Sequence, residues 1–191
     1  MLYISPSKAG STPHDINPIN KTEHRMHADS KGKDALMGEF IHQVFCCCDD
    51  GINVEQIIKL RNSYGFTDKN MSEPNRLLDS WKYLTETLEA RYGKAIQRHH
   101  EKPFRHLDER GHVVSGYIDL IWETENAYIV VDYKTCPGNY SQVFNAVSEH
   151  YAGRHGDQLD CYQRALEAEG SKKVAARVIY YPVTQFVVEV K

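Results

Sequence analysis

No stretch of this 191-residue chain approaches the ~20 consecutive apolar residues that a membrane-spanning helix needs. Residues 1 to 10 hold no apolar core of a secretory leader. These two absences predict a cytoplasmic protein with reduced thiols and no membrane partner. Cysteines are few, at 46, 47, 48, 136 and 161, and three of the five are contiguous. An odd count with three direct neighbours argues against a disulfide framework, and no second Cys/His pair stands at zinc-finger spacing. All five are read as structural. Positive charge is not in excess either. The formal net charge is −3 and the pI about 6.4, so the overall field does not attract phosphate. Any nucleic-acid binding must use a local patch or metal ions. No Gly-x4-Gly-Lys-Ser/Thr loop occurs, so the chain cannot run on ATP by itself. Internal repeats are absent too.

What is present suits one packed domain. Hydrophobic residues make up 41% and charged residues 26%, which is ordinary globular usage. Residues 1–33 are rich in Pro, Ser, Lys, His and Asn and show no period, so they read as an extended N-terminal arm or linker. The domain proper is expected over 34–191. "DALMGEFIHQVFCC" repeats apolar residues at helical spacing, with His42 beside that stripe. "NVEQIIKLRNSYG" is a second helix closing at Gly65. "SEPNRLLDSWKYLTETLEARYG" is a third, with Ser72 as the expected N-cap, Pro74 in the first turn and Gly93 past its end.

The period then changes to two. Residues 97–107 read as a strand interrupted by Pro103, 112–123 as a second strand and 127–135 as a third, with a tight turn at 124–126. This predicts a meander of three antiparallel strands. Residues 140–152 read as a short helix or an ordered loop. "GDQLDCYQRALEAEG" is an amphipathic helix, and "KKVAARVIYYP" and "QFVVEVK" are two closing strands. The expected fold class is α/β (α+β), a central mixed sheet flanked by helices.

The third strand carries the chemistry. In "IVVDYKT", Asp132 and Lys134 alternate with apolar neighbours and share one face. A two-residue hairpin turn brings Asp119 opposite Asp132. Two carboxylates so placed repel, and burying them is costly unless a cation compensates. Hard oxygen ligands suit Mg²⁺ or Mn²⁺. A metal so held supplies a nucleophilic water and screens a phosphate, while a lysine stabilises developing charge.

Four separated strings resemble the PD-(D/E)xK nuclease superfamily, and its RecB-type branch in particular. "GYIDLIWETENAYIVVDYKT" is similar to that branch's Gly-x-x-Asp and Asp-x-Lys strands. "QLDCYQRAL" matches its Gln-x-x-x-Tyr helix through Gln158 and Tyr162. "MGEFIHQVF" resembles the upstream helix that contributes a histidine, and "EKPFRHL" the strand before the Gly–Asp strand. The resemblance implies a restriction-endonuclease-like core. It implies that His42, Asp119 and Asp132, with the Tyr133 carbonyl, hold Mg²⁺ or Mn²⁺. It implies that Lys134 positions the attacking water and that Gln158 and Tyr162, one helical turn apart, orient phosphate or the lysine. Glu101 and Gly116 are read as structural positions, with an acid behind the site as the lesser reading for Glu101. Tyr151, Arg154 and His155 precede the Gln158 helix and stand within reach of DNA, with Arg154 taken as a substrate contact. The "QRHH" run is read as a solvated strand edge. Some cousins hold an iron–sulfur cluster through three cysteines after the Gln-x-x-x-Tyr helix. None follows Cys161 here, so no cluster is expected.

The function so implied is a metal-dependent DNA exonuclease, the nuclease part of a repair or recombination helicase–nuclease of the AddA or RecB type. Its expected partners are linear DNA with a single-stranded end and a helicase in the same chain or complex. The alternative is a non-catalytic module that grips single-stranded DNA within a larger complex. A restriction-type endonuclease is a third reading, which nothing in the sequence marks. Cleavage polarity, DNA against RNA, and one metal against two stay open.

Overall fold

The computed structural model describes residues 3–8, 12, 14–20, 25–135, 155–170 and 172–191. Its centre is a mixed seven-stranded sheet. In chain order the elements are β1 (Tyr3–Ile4), β2 (Ile16–Asn20), α1 (Asp34–Cys48), α2 (Val54–Ser63), α3 (Arg76–Tyr92), β3 (Gln97–Leu107), β4 (Val113–Glu123), β5 (Ala127–Tyr133), α4 (Gly156–Glu169), β6 (Lys173–Tyr181) and β7 (Phe186–Val190). The strands run β1-β4-β5-β6-β7-β2, and β3 pairs with β4. The expected meander is β3, β4 and β5, all antiparallel. β5 and β6 are parallel, with α4 between them in the chain, which is the crossover a parallel pair requires.

The sheet has a core on each face. Phe40, Ile41, Val44 and Phe45 of α1 and Trp81, Leu84 and Leu88 of α3 bury one face, against Leu120, Ile129, Val131 and Tyr180. Leu159, Tyr162, Ala165 and Leu166 of α4 cover the other, against Ile121, Val130, Ile179 and Val188. Strand β5 is therefore apolar on both faces, as a strand buried between two layers must be.

Three local expectations are corrected. Ser72 does not cap α3, which begins at Arg76. The preceding residues form overlapping four-residue turns instead, in which the Arg76 amide bonds the Glu73 carbonyl and the Leu77 amide that of Pro74. Pro103 does not interrupt β3 but pairs with Tyr117 inside it. Among the described residues β3 pairs only with β4, which leaves a side of Pro103 where a missing N–H costs no ladder bond. The break falls at Glu101, whose φ of 46° is left-handed and whose ladder position is skipped. The segment 1–33, read as an arm or linker, enters the sheet. β1 lies parallel to β4 at Val113 and Val114, β2 lies antiparallel to β7, and Met26 is buried in the core. Residues 140–152 lie outside the described residues.

Candidate active site

The β4–β5 hairpin sets the site. Its register pairs Leu120 with Val131 and Glu123 with Tyr128, which makes Asp119 and Asp132 the next facing pair. The turn closes through the Thr124 amide on the Ala127 carbonyl, as a two-residue loop requires. At the aspartates the ladder stops. Asp119 Oδ2 instead accepts from the Tyr133 amide at 2.7 Å, so a side chain takes over where the strands part. The alternation of β4 also slips here: Ile118 packs on the α4 side, yet Leu120 packs on the α1–α3 side. Opposite on β3 stands Glu101 with its left-handed backbone, and the β3–β4 register is the same on either side of it. The result is a gap within the sheet, a cleft of about 330 Å³ lined by His42, Asp119, Asp132, Lys134, Gln158 and Tyr162.

Each layer sends side chains into this gap. From α1, His42 Nδ1 lies 3.3 Å from Glu101 Oε1 and 3.6 Å from Asp119 Oδ1. Its ring stands edge-on to Tyr133, 5.2 Å between centroids. From β5, Lys134 Nζ lies 2.7 Å from Asp132 Oδ2 and donates to Gln158 Oε1 at 3.1 Å. From α4, Gln158 Nε2 donates to Asp132 Oδ1 at 2.9 Å and to the Tyr162 hydroxyl at 2.5 Å. The Tyr162 hydroxyl donates in turn to Asp132 Oδ1 at 3.4 Å. Gln158 and Tyr162 can cooperate because residues four apart share a helix face.

Asp119 and Asp132 are 7% and 1% exposed. Burial and then the Asp132 carboxylate push Asp119 well above the usual carboxylate range, against the pull of His42, the Tyr133 amide and Lys134. Burial disfavours charge on His42, but Asp119, Glu101 and Asp132 outweigh it and raise its pKa to about 9. A pocket that holds protons on an acid and a histidine is short of positive charge. His42, Glu101 and Asp119 offer ligand atoms within 4.8 Å of one another. One imidazole with carboxylate oxygens is a donor set that Mg²⁺ or Mn²⁺ accepts, so these residues fit a divalent ion.

The geometry sorts the expected residues into two groups. His42 and Asp119 stand together, and Glu101, read from the sequence as a structural position, joins them directly. Asp132 lines the same cleft, but its oxygens are engaged by Lys134, Gln158 and Tyr162. Tyr133 contributes its amide to Asp119. Tyr151 and Arg154 lie outside the described residues, and His155 stands at the N-cap of α4.

The model of the PD-(D/E)XK nuclease superfamily matches residues 20–190. The chain belongs to the PD-(D/E)XK nuclease superfamily. Among curated proteins, it is 35% identical over 77 residues to an ATP-dependent helicase/nuclease subunit of Listeria monocytogenes. It is 31% identical over 70 residues to the corresponding protein of Geobacillus thermodenitrificans. These matches cover 39% and 36% of this chain and 6% of each relative. Among the described residues, no helix of this superfamily member is long and apolar enough to cross a membrane.

Proposed function

We propose that this protein is a Mg²⁺- or Mn²⁺-dependent deoxyribonuclease that degrades linear DNA from an end, as the nuclease part of a repair or recombination helicase–nuclease in the same chain or complex. One observation carries the reading. Two buried, facing aspartates are met by His42 and Glu101 on one side and by Lys134, Gln158 and Tyr162 on the other. The matches to ATP-dependent helicase/nuclease proteins support a nuclease that works with a helicase.

In this reading His42, Asp119, Asp132 and Glu101 form the donor set for the ion. When bound, the cation screens the phosphate and lowers the pKa of the attacking water. The chain's own groups do the remaining work. Lys134, held 2.7 Å from Asp132 Oδ2, donates a hydrogen bond to the phosphate oxygen on which negative charge develops. Gln158 fixes that ammonium through Oε1 and fixes Asp132 through Nε2, so one amide sets the spacing of acid and base. Tyr162, 2% exposed, anchors Gln158 from below. Both charged residues are thus oriented before substrate arrives, which removes reorganisation from the chemical step.

The test is digestion of end-labelled linear DNA with Mg²⁺ or Mn²⁺, beside a closed circular control. The linear DNA is expected to be degraded and the circle spared, and Asp132→Ala and Lys134→Ala should both be inactive. Cleavage that survives both substitutions overturns the reading.

A further inference from the structure

Past the acidic centre, β3 and β4 run on as a ribbon. Phe104, Val114 and Ile118 of this ribbon pack toward α4. The alternate residues Pro103, Arg105, Ser115 and Tyr117 therefore point to the opposite face. Register sets Tyr117 against Pro103 and Ser115 against Arg105. Tyr117 is 60% exposed, and no other Phe, Trp or Tyr whose side chain is described is exposed. Pro103 and Arg105 are exposed with it.

This aromatic is not isolated from the chemistry. Gly116 and Tyr117 line the cleft, and they also line a neighbouring depression of about 550 Å³ at the β3 edge, bounded by Pro103, Arg105 and Ser115 and, from the α4 side, by Phe104 and Glu169. The other side of the strand is closed. A Cβ at Gly116 would stand 3.1 Å from Pro6 and 3.4 Å from Phe104. Among the described residues, the Tyr117 side is the exposed one. Same-face residues two apart on a strand are separated by about 6.6 Å. Tyr117 lines the cleft together with Asp119, and that spacing then leads outward from Tyr117 to the Ser115/Arg105 pair. An extended single strand advances by a similar distance per nucleotide.

Resting on the nuclease reading, we propose that Tyr117 stacks an unpaired nucleobase beside the scissile phosphate, that Arg105 meets the next phosphate along, and that this ribbon face thereby selects single-stranded over duplex DNA. Every base has a ring face that an aromatic side chain can cover, and in a duplex those faces are already occupied by neighbouring bases. A local cation supplies the backbone attraction that a chain of net charge −3 lacks overall.

Binding of a deoxythymidine oligomer carrying one 2-aminopurine, measured with Ca²⁺ in place of Mg²⁺, tests this. The fluorescence of the free oligomer should be quenched on binding. Tyr117→Ala should bind roughly tenfold more weakly and lose the quenching, whereas Tyr117→Phe and Tyr117→Trp keep both. A blunt duplex hairpin should show no dependence on residue 117. Arg105→Ala should weaken binding and flatten its salt dependence. Because Tyr117 is mostly exposed, Tyr117→Ala should melt with the wild type. Undiminished binding by Tyr117→Ala, or an equal loss in Tyr117→Phe, overturns the proposal. Cleavage in Mg²⁺ that ignores residue 117 sinks the stacking and spares the nuclease. Single-strand binding that needs Tyr117, without any cleavage in Mg²⁺ or Mn²⁺, sinks the nuclease reading and spares the stacking.

Discussion

Among the described residues, two places combine one histidine with two carboxylates, and they have become different things. His42, Glu101 and Asp119 stand in the gap between β4 and β5. His14, Asp157 and Asp160 stand at the first turn of α4. In the second cluster protein groups answer the acids. Asp157 accepts from His14 at 3.0 Å and from the Thr12 amide at 2.8 Å. Asp160 pairs with Arg177, and the other His14 nitrogen meets the Lys191 carbonyl at 3.2 Å. That cluster is a clasp holding the N-terminal segment to α4. In the first cluster the acids outnumber their cations, and Asp119 is driven toward its protonated form. Residue types alone do not separate a site from a clasp. Burial and the count of charges around the acids do.

The comparison breaks most visibly at Asp119. Asp119→Asn should reduce cleavage below detection while making the metal-free protein more stable. It removes a buried charge that faces Asp132 and still leaves an oxygen to accept the Tyr133 amide. A gain of about 1 kcal/mol would raise Tm by about 2–4 °C in a protein of this size. Mg²⁺ or Mn²⁺ should then stabilise the wild type and leave Asp119→Asn unmoved. Calorimetry with and without metal reads both effects. A loss of stability in Asp119→Asn would show that the carboxylate is a structural partner, like Asp157.

Next in size are the groups that act on the aspartates. Lys134→Met should lower kcat roughly 10²–10³-fold, the usual effect of removing one donor aimed at developing charge. Gln158→Ala should cost roughly 10–100-fold, because it positions Lys134 and Asp132 without touching substrate. If Gln158→Ala raised KM and left kcat intact, Gln158 would be a substrate contact instead.

Much of this centre is legible in the sequence because its geometry is local. A hairpin turn at Glu125 and Asn126 dictates that Asp119 faces Asp132, and helical spacing dictates that Gln158 and Tyr162 share a face. What escapes is non-local. Glu101 reads as a structural position because nothing in "HHEKPF" signals a left-handed residue; Pro103, the visible breaker, draws the interruption to itself instead. The strands β1 and β2 are invisible for a related reason. Tyr3–Ile4 and Ile16–Asn20 are too short and too polar to show a period, and they are strands because β4 and β7 offer open edges about a hundred residues or more away. Even the slip in β4 alternation is a property of two strands and a loop of charges, not of the string "GYIDL".

The clasp yields a smaller and purely structural effect. The His14 ring lies where a Cβ at Gly156 would stand, so Gly156→Ala must expel it. Losing the ring and its bond to Asp157 should destabilise the protein by roughly 1–2 kcal/mol. Proteolysis near residue 12 should accelerate, while kcat of the remaining folded protein stays within about twofold. Equal damage to kcat would tie the clasp to the catalytic centre through α4, which carries both Asp157 and Gln158.

The smallest effect is one of pH, and its sign separates clasp from site. Burial tends to raise the Asp157 carboxyl, but the bonds from His14 and Thr12 outweigh it and hold the group below the usual range. A depressed folded pKa means that the stabilisation is complete above the unfolded value, about 3.9, and is lost as pH falls through the folded one. The Tm gap between wild type and Asp157→Asn should therefore be constant near neutrality and close as the solution is acidified below about pH 4. Asp119 runs the other way. Its folded pKa is raised, so the metal-free protein gives up stability as pH climbs above the unfolded value, and the Tm advantage of Asp119→Asn should grow with pH. Two aspartates in one protein, each replaced by asparagine, should thus produce Tm differences of opposite sign, and a common sign would erase the distinction between the two clusters.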